Sequence, residues 1–280
     1  MGRGANPFSV IIANILEFLA SLQSSGKSYS SINIHRSMLS TTLKPAEGIP
    51  IGEHPEVVRL LKGCYNRNPP RRKYSATWDS NQVIAFVSTL GENDSLSLYL
   101  LATKMVTLIA LATLMRVSEI AAIGLKSVVF SQNGVRFALE TPRKAQRNGP
   151  MQSFSITSCP ESKICPVAAI AEYIKRTSKF RADQNSDKLV IAAIAPHKPV
   201  SSNTVSRWIK CFLKSAGINT EMFGAHSTRS AAASKAAKSG ISLGAILRAG
   251  SWAQESTFGR FYNRSAEPTV ESAVFGQTHN

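Results

Sequence analysis

The stretch Leu96 to Ile123, LSLYLLATKMVTLIALATLMRVSEIAAI, decides how the rest of the chain is read. Its first part, to Met115, is the most apolar run of the sequence, yet Lys104 sits near its centre and Thr103, Thr107 and Thr113 punctuate it. A charge and three hydroxyls at those places argue against a membrane span. We read the run as a buried core helix, part of a helical segment over 95–123. Arg116 then emerges at the edge of that helix, where an unpaired guanidinium would be costly. A salt bridge to Glu119, three residues on, would satisfy it. The alternative is a fork for a phosphate group, because arginine matches two non-bridging oxygens at once and stays charged at any working pH.

Working outward, the apolar residues Phe8, Ile11, Ile12, Ile15, Leu19 and Leu22 recur at helical spacing up to Gly26. Further helices are expected from Ser30 to Leu43 and from Glu56 to Cys64. Residues 67–75, RNPPRRKYS, combine two prolines that bar a helix with basic residues that bar burial. This predicts a helical N-terminal domain over 1–66, a basic linker over 67–76 and a larger domain over 77–280. The larger domain opens with Asp79 or Ser80 as an N-cap for a helix over 80–90. After the core helix come short β-branched or alternating segments, Val128–Ser131, Val135–Thr141 and Gln152–Ile156, divided by SQNG and PRKAQRNGP. Helices resume at Pro166–Lys179, Asn203–Ala216, His226–Lys238, Leu243–Arg248 and Glu255–Arg264, with Gly217, Gly240 and Gly250 as stop signals. The fold class is mainly α with a small antiparallel β-sheet.

The chain has 280 residues, 43% of them hydrophobic, enough to bury its own core. Its 33 basic residues outweigh 17 acidic ones, for a formal charge of +16, and this points to a polyanionic partner with nucleic acid first. Cys64, Cys159, Cys165 and Cys211 lack C-x-x-C spacing or a paired histidine motif, so neither zinc nor a disulfide framework is expected. A reducing compartment fits. The N-terminal apolar stretch carries Asn14 and Glu17 and has no small-residue cleavage pattern, so an amphipathic helix is expected rather than a secretion signal.

The chemistry-bearing residues lie in the larger domain. His226 and Arg229 form an H-x-x-R unit whose members, on a helix, project from one face. Such a pair is common as surface decoration or core packing; its companions give it meaning. Trp252 offers one indole N–H, and packing after Gly250 is its simpler role. Tyr262, in FYNR, lies between aromatic and charged neighbours. A phenol with a pKa near 10 is a weak nucleophile unless cations stabilise its phenolate. Arg116, Arg229 and His226 supply such a field and neutralise a phosphorane-like transition state, so the set reads as a grip on one phosphodiester without a metal or other cofactor. Lys144, in the turn PRKAQRNG, is either simply solvated or an acid for a departing 5′-hydroxyl. Arg143 and Arg147 beside it, with Arg67, Arg71, Arg72 and Lys73 in the linker, are the expected phosphate contacts.

The order Arg116, Lys144, His226-x-x-Arg229, Trp252, Tyr262 resembles the tyrosine recombinase (phage integrase) family. Glu119 matches that family's R-x-x-E/D pattern, in which the carboxylate orients the arginine. The phrases YSSINIHRSMLS, HSTRSAAASKA and STFGRFY are similar to recombinases of DIRS-like retrotransposons. The resemblance spans the larger domain, and the N-terminal helices look like the family's core-binding domain. It implies conservative recombination through a 3′-phosphotyrosine at Tyr262, with double-stranded DNA and further copies of the chain, in a tetrameric synapse, as partners. It implies no membrane, and a nuclear location in a eukaryote or a cytoplasmic one otherwise. A type IB topoisomerase uses similar chemistry, but that family usually has lysine where His226 stands. A DNA-binding protein that has lost cleavage is the alternative from another class. One departure is visible: many members place the tyrosine nine residues after the tryptophan, whereas Tyr262 is ten after Trp252 and Phe261 holds the ninth position.

Overall fold

The computed structural model describes residues 11–70, 77–143, 146, 151–181, 187–252, 255 and 259. The chain divides into two compact units, Met1–Lys73 and Tyr74–Asn280.

In the first unit, α1 (Ile12–Ser24), α2 (Tyr29–Thr42) and α3 (Pro55–Arg67) pack on one another around Ile15, Leu19, Ile32, Ile51, Val57, Leu61 and Cys64. Ser28 caps α2 by accepting the Ser31 N–H at 3.2 Å, and Pro55 opens α3, where its missing N–H is no loss. A 3₁₀ turn at Ile51–Glu53, absent from the sequence reading, fills the gap between α2 and α3. Arg36 holds it by donating to the Gly52 carbonyl at 2.8 Å.

The second unit is built around α5 (Leu98–Thr113), every residue of which from Leu101 to Ala110 is buried. It packs against α7 (Pro166–Thr177), α8 (Ser202–Ser215) and α9 (Ser227–Lys238). The polar residues that excluded a membrane span are all accounted for inside the protein. Thr107 and Thr113 return their hydroxyls to the carbonyls of Thr103 and Ile109, at 2.7 and 2.6 Å. Lys104 donates to Asn93 Oδ1 at 2.7 Å, and burial pushes its ammonium pKa down, partly offset by the Glu92 carboxylate. Among the described residues no helix is long and apolar enough to cross a membrane.

The expected single helix over 95–123 is in fact two. Leu114 takes a left-handed conformation (φ 54°), the Thr113 hydroxyl accepts the Met115 N–H at 3.3 Å, and α6 (Val117–Ala121) starts in a new direction with Arg116 as its N-cap. No glycine or proline marks this break. A left-handed leucine costs roughly 1–3 kcal/mol, and tertiary contacts described below offset it.

β1 (Val129–Ser131), β2 (Gly134–Ala138) and β3 (Ser153–Thr157) form the antiparallel sheet in that order. Val135 faces Ile156 and Phe137 stacks on Phe154 with centroids 5.9 Å apart, so one side of the β2–β3 pair is buried while Arg136 and Ser155 face solvent. The second strand ends at Ala138 rather than Thr141, though Leu139 still bridges to Ile123. α4 (Ser80–Thr89) is capped by Asp79, which accepts the Asn81 N–H at 2.9 Å. Gly217 and Gly240 end α8 and α9 with φ near +80°. Gly250 is instead the last residue of α10 (Leu243–Gly250), and Ser251 makes the left-handed exit (φ 49°). Of the expected helix Glu255–Arg264, only Glu255 and Gly259 are described, both helical.

Candidate active site

Arg229 enters the core from the first turn of α9, a helix whose alanines and serines let it lie close to its neighbours. Its side chain is 0% exposed. One terminal nitrogen donates to the Leu114 carbonyl and the other to the Gly250 carbonyl, the latter at 2.7 Å, while the guanidinium carbon lies 4.7 Å from the centre of the Trp252 ring. A buried guanidinium costs several kcal/mol unless hydrogen bonds and aromatic or anionic partners replace water. Here the partners come from the α5–α6 break and from the end of α10, so one side chain draws three turns of chain together. Trp252 is itself buried in a small cluster with Leu114, Ala233 and Ile246.

Glu119 is the second organising group. It is 5% exposed and accepts the Arg116 main-chain N–H at 2.8 Å, Arg116 Nη1 at 2.7 Å, and Arg143 Nε and Nη2 at 2.8 and 3.0 Å. Burial acts to raise its pKa, but hydrogen bonds from Arg143 and Arg116 and the charge of Arg143 outweigh it, so the carboxyl stays below its usual range. By reaching back to the Arg116 N–H, the Glu119 carboxylate caps the start of α6. Arg116 keeps 22% of its side chain exposed. The salt bridge weighed for Arg116 therefore exists, and it holds the guanidinium at the surface rather than consuming it.

Arg143, expected as a phosphate contact, lies inside the protein instead. It is 2% exposed, and besides Glu119 it donates to Gln152 Oε1 at 3.0 Å and to the Ala249 carbonyl at 3.4 Å, with Phe154 under its guanidinium at 5.2 Å. It works as an internal strut between α6, β3 and α10. His226, as the N-cap of α9, is exposed, one turn from the buried Arg229, so the two differ sharply in access although they are three apart. Its main chain is pinned on the helical side. Ser227 accepts Trp78 Nε1 at 2.8 Å and donates to the Gly224 carbonyl at 2.7 Å, and Thr228 donates to the Ala225 carbonyl at 2.8 Å. Lys144, Arg147, Tyr262, Arg71, Arg72 and Lys73 lie outside the described residues. Arg67 is exposed at the end of α3, in the other unit.

The sequence reading missed Trp78, Gln152, Leu114 and Gly250. Trp78 and Leu114 carry no local signal, since each matters through a partner more than a hundred residues away, and Gln152 matters through Arg143 across the turn before β3. Gly250 did carry one, the tryptophan two residues on: a Cβ at Gly250 would fall 2.0 Å from the Trp252 ring. Together the described residues present a partly exposed guanidinium and an imidazole around a buried guanidinium, with Glu119 already engaged. That arrangement suits an anion. Among the described residues no cluster of three metal-ligating side chains occurs.

Gly250→Ala is expected to push Trp252 off Arg229 and to destabilise the second unit by roughly 1–3 kcal/mol, read as a lower urea midpoint with a change in tryptophan fluorescence. Glu119 has its folded pKa below the unfolded value, so its stabilising effect is present above about pH 4.3 and is lost as pH falls through the folded value. Glu119→Gln should cost about 3–5 kcal/mol at pH 7 and flatten the acid side of the stability profile. Urea melts from pH 7 to pH 3 measure both, and an unchanged acid slope would assign the acid sensitivity elsewhere.

No curated protein matches the chain in sequence. Among solved structures, the XerH site-specific recombinase bound to palindromic difH superimposes with a TM-score of 0.64 at 13% identity, over 95% of this chain and 72% of that one. The Tn1549 transposon integrase (residues 82–397) in complex with circular intermediate DNA gives 0.57 at 15% identity, over 99% and 89%. A lambda integrase (75–356) dimer bound to a COC′ core site gives 0.53 at 16%, over 94% and 83%. These likenesses establish a shared fold, mainly helical with a small three-stranded sheet. Residues 78–268, which hold every one of the candidate catalytic residues, match the phage integrase family, and the chain therefore belongs to that family of tyrosine recombinases.

Proposed function

We propose that this protein cuts and rejoins DNA strands at specific sites, with Tyr262 as the nucleophile. The observation that carries this reading is the pair of arginines, Arg229 clamped by main-chain carbonyls and Arg116 held by Glu119 with part of its fork open. In an in-line attack on a phosphodiester charge develops on the non-bridging oxygens; the open part of the Arg116 fork is the preorganised donor for them, and the buried Arg229 adds its positive field from behind. Tyr262 gives up its phenolic proton to solvent and attacks phosphorus as the phenolate, and the 5′-oxygen leaves with a proton from Lys144. The 5′-hydroxyl of a partner strand then attacks the phosphotyrosine and frees the phenol. Each step exchanges one phosphoester for another, so no ATP is consumed.

Membership of the phage integrase family and the charge of +16 support this reading, as does the fact that the three structural neighbours were each captured with DNA. In this scheme the basic residues Arg67, Arg71, Arg72 and Lys73 contact DNA phosphates, several protomers assemble on the paired sites, and the DNA recombined is that of a mobile element of the DIRS-like kind. His226, where a type IB topoisomerase usually has lysine, favours a recombinase.

Tyr262→Phe should leave duplex affinity unchanged and abolish the covalent protein–DNA adduct on a nicked substrate that traps the 3′ intermediate. Arg116→Ala should slow cleavage more than a hundredfold, about 3 kcal/mol at the transition state. An adduct that survives Tyr262→Phe would transfer the nucleophile elsewhere, and a wild-type chain that binds its own element's termini but forms no adduct would be a binding protein. Lys144→Ala should slow an ordinary duplex while sparing one with a 5′-bridging phosphorothiolate, whose leaving group needs no proton. Equal slowing of both would make Lys144 a binding residue.

A further inference from the structure

Cys159 follows the end of β3 and Cys165 is the N-cap of α7, and the connection between them, CPESKIC, folds back so that the Cys159 N–H donates to Cys165 Sγ at 3.2 Å. The Cys165 N–H closes the turn on the Ser162 carbonyl at 3.2 Å. Cys159 is half-buried, whereas Cys165 is buried. The other two cysteines are placed differently: Cys64 lies in the core of the first unit, donating to Gln23 Oε1, and Cys211 is exposed on α8.

We propose that Cys159 and Cys165 form a reactive dithiol that closes reversibly to an intrachain disulfide by exchange with small disulfides of the glutathione class. The half-buried Cys159 thiolate attacks one sulfur of glutathione disulfide, forming a mixed disulfide and expelling one glutathione thiolate. Cys165 Sγ then attacks Cys159 Sγ, forming the intrachain bond and expelling the second glutathione. Two electrons pass from the protein thiols to the reagent, and the two thiol protons end on the two released glutathiones.

The division of labour follows from the surroundings. Burial pushes both thiols up, but at Cys165 the N–H groups of Cys159, Ala168 and Val167 and the Cys159 thiol bring it down overall, which favours a thiolate at the resolving position. Neighbouring thiols also suit a trivalent arsenical, which binds two sulfurs at once. The bridge would tie β3 to α7, two elements that pack on each other and on α5, so oxidation should raise the melting temperature.

The full-length protein is incubated with glutathione disulfide, alkylated and mapped by mass spectrometry. Cys211, with no thiol partner, is expected to carry glutathione, while Cys159 and Cys165 lose two hydrogens between them and carry none, reversibly with dithiothreitol. In Cys165→Ser, whose hydroxyl accepts the same helix N–H groups, glutathione should accumulate on Cys159. Equal adduct on Cys159 in wild type and Cys165→Ser would overturn the proposal. So would thiols at 159 and 165 that stay alkylatable while Cys211 is modified. Should the variant fail to fold, phenylarsine oxide added to the wild type at equimolar ratio must protect Cys159 and Cys165 together from alkylation, and their separate labelling would equally refute the idea.

Discussion

The guanidinium of Arg229 has no contact with solvent, and a charge in that position must find all its partners within the protein. It finds the Leu114 carbonyl, the Gly250 carbonyl and the face of Trp252. Each constrains something else. The Leu114 carbonyl is available because α5 breaks there, the break starts α6, and the first residue before α6 is Arg116. The Gly250 carbonyl is available because α10 ends there, with Trp252 folded back over a residue that has no side chain. A single buried cation thus sets the direction of two helices and the seat of one ring.

The Glu119 carboxylate does for Arg116 and Arg143 what the carbonyls do for Arg229. One buried negative charge shared by two guanidiniums leaves a net positive knot, tolerable because hydrogen bonds satisfy the carboxylate and Arg143 is further held by Gln152, Ala249 and Phe154. Breaking such a pair costs more than the pair is worth, since it strands the remaining charges. The arrangement is a positional device: it sets where the exposed part of Arg116 points, and the sheet contributes through Phe154 and the residue before β3, not through any group facing solvent.

Much of the site's composition was legible from residue order alone. Arg116, Glu119, His226, Arg229 and Trp252 stand out because their types and spacing suit phosphoryl chemistry, and all five fall within the region that matches the family. Their depths were not legible. His226 and Arg229, three apart on one helix, read as equivalent, yet one is exposed and the other fully buried, because the first turn of α9 runs from the surface into the packing between α5 and α10. Arg143 read as a phosphate contact because it stands in the basic turn PRKAQRNG. A carboxylate far earlier in the chain takes it inside.

The sequence by itself determined the helical class, the small sheet and the core character of the run through Lys104. All of these rest on local periodicity, on turn chemistry and on the charge each side chain carries wherever it is placed. Only the tertiary structure decided that the run over 95–123 breaks at Leu114, that the left-handed exit from α10 falls on Ser251, and which arginines face inward. These outcomes depend on contacts between residues about a hundred positions apart, such as Arg229 with Leu114 and Arg143 with Ala249. Backbone strain at Leu114 is unfavourable in isolation and stable once a buried guanidinium requires its carbonyl, a condition that exists only when the whole unit has folded.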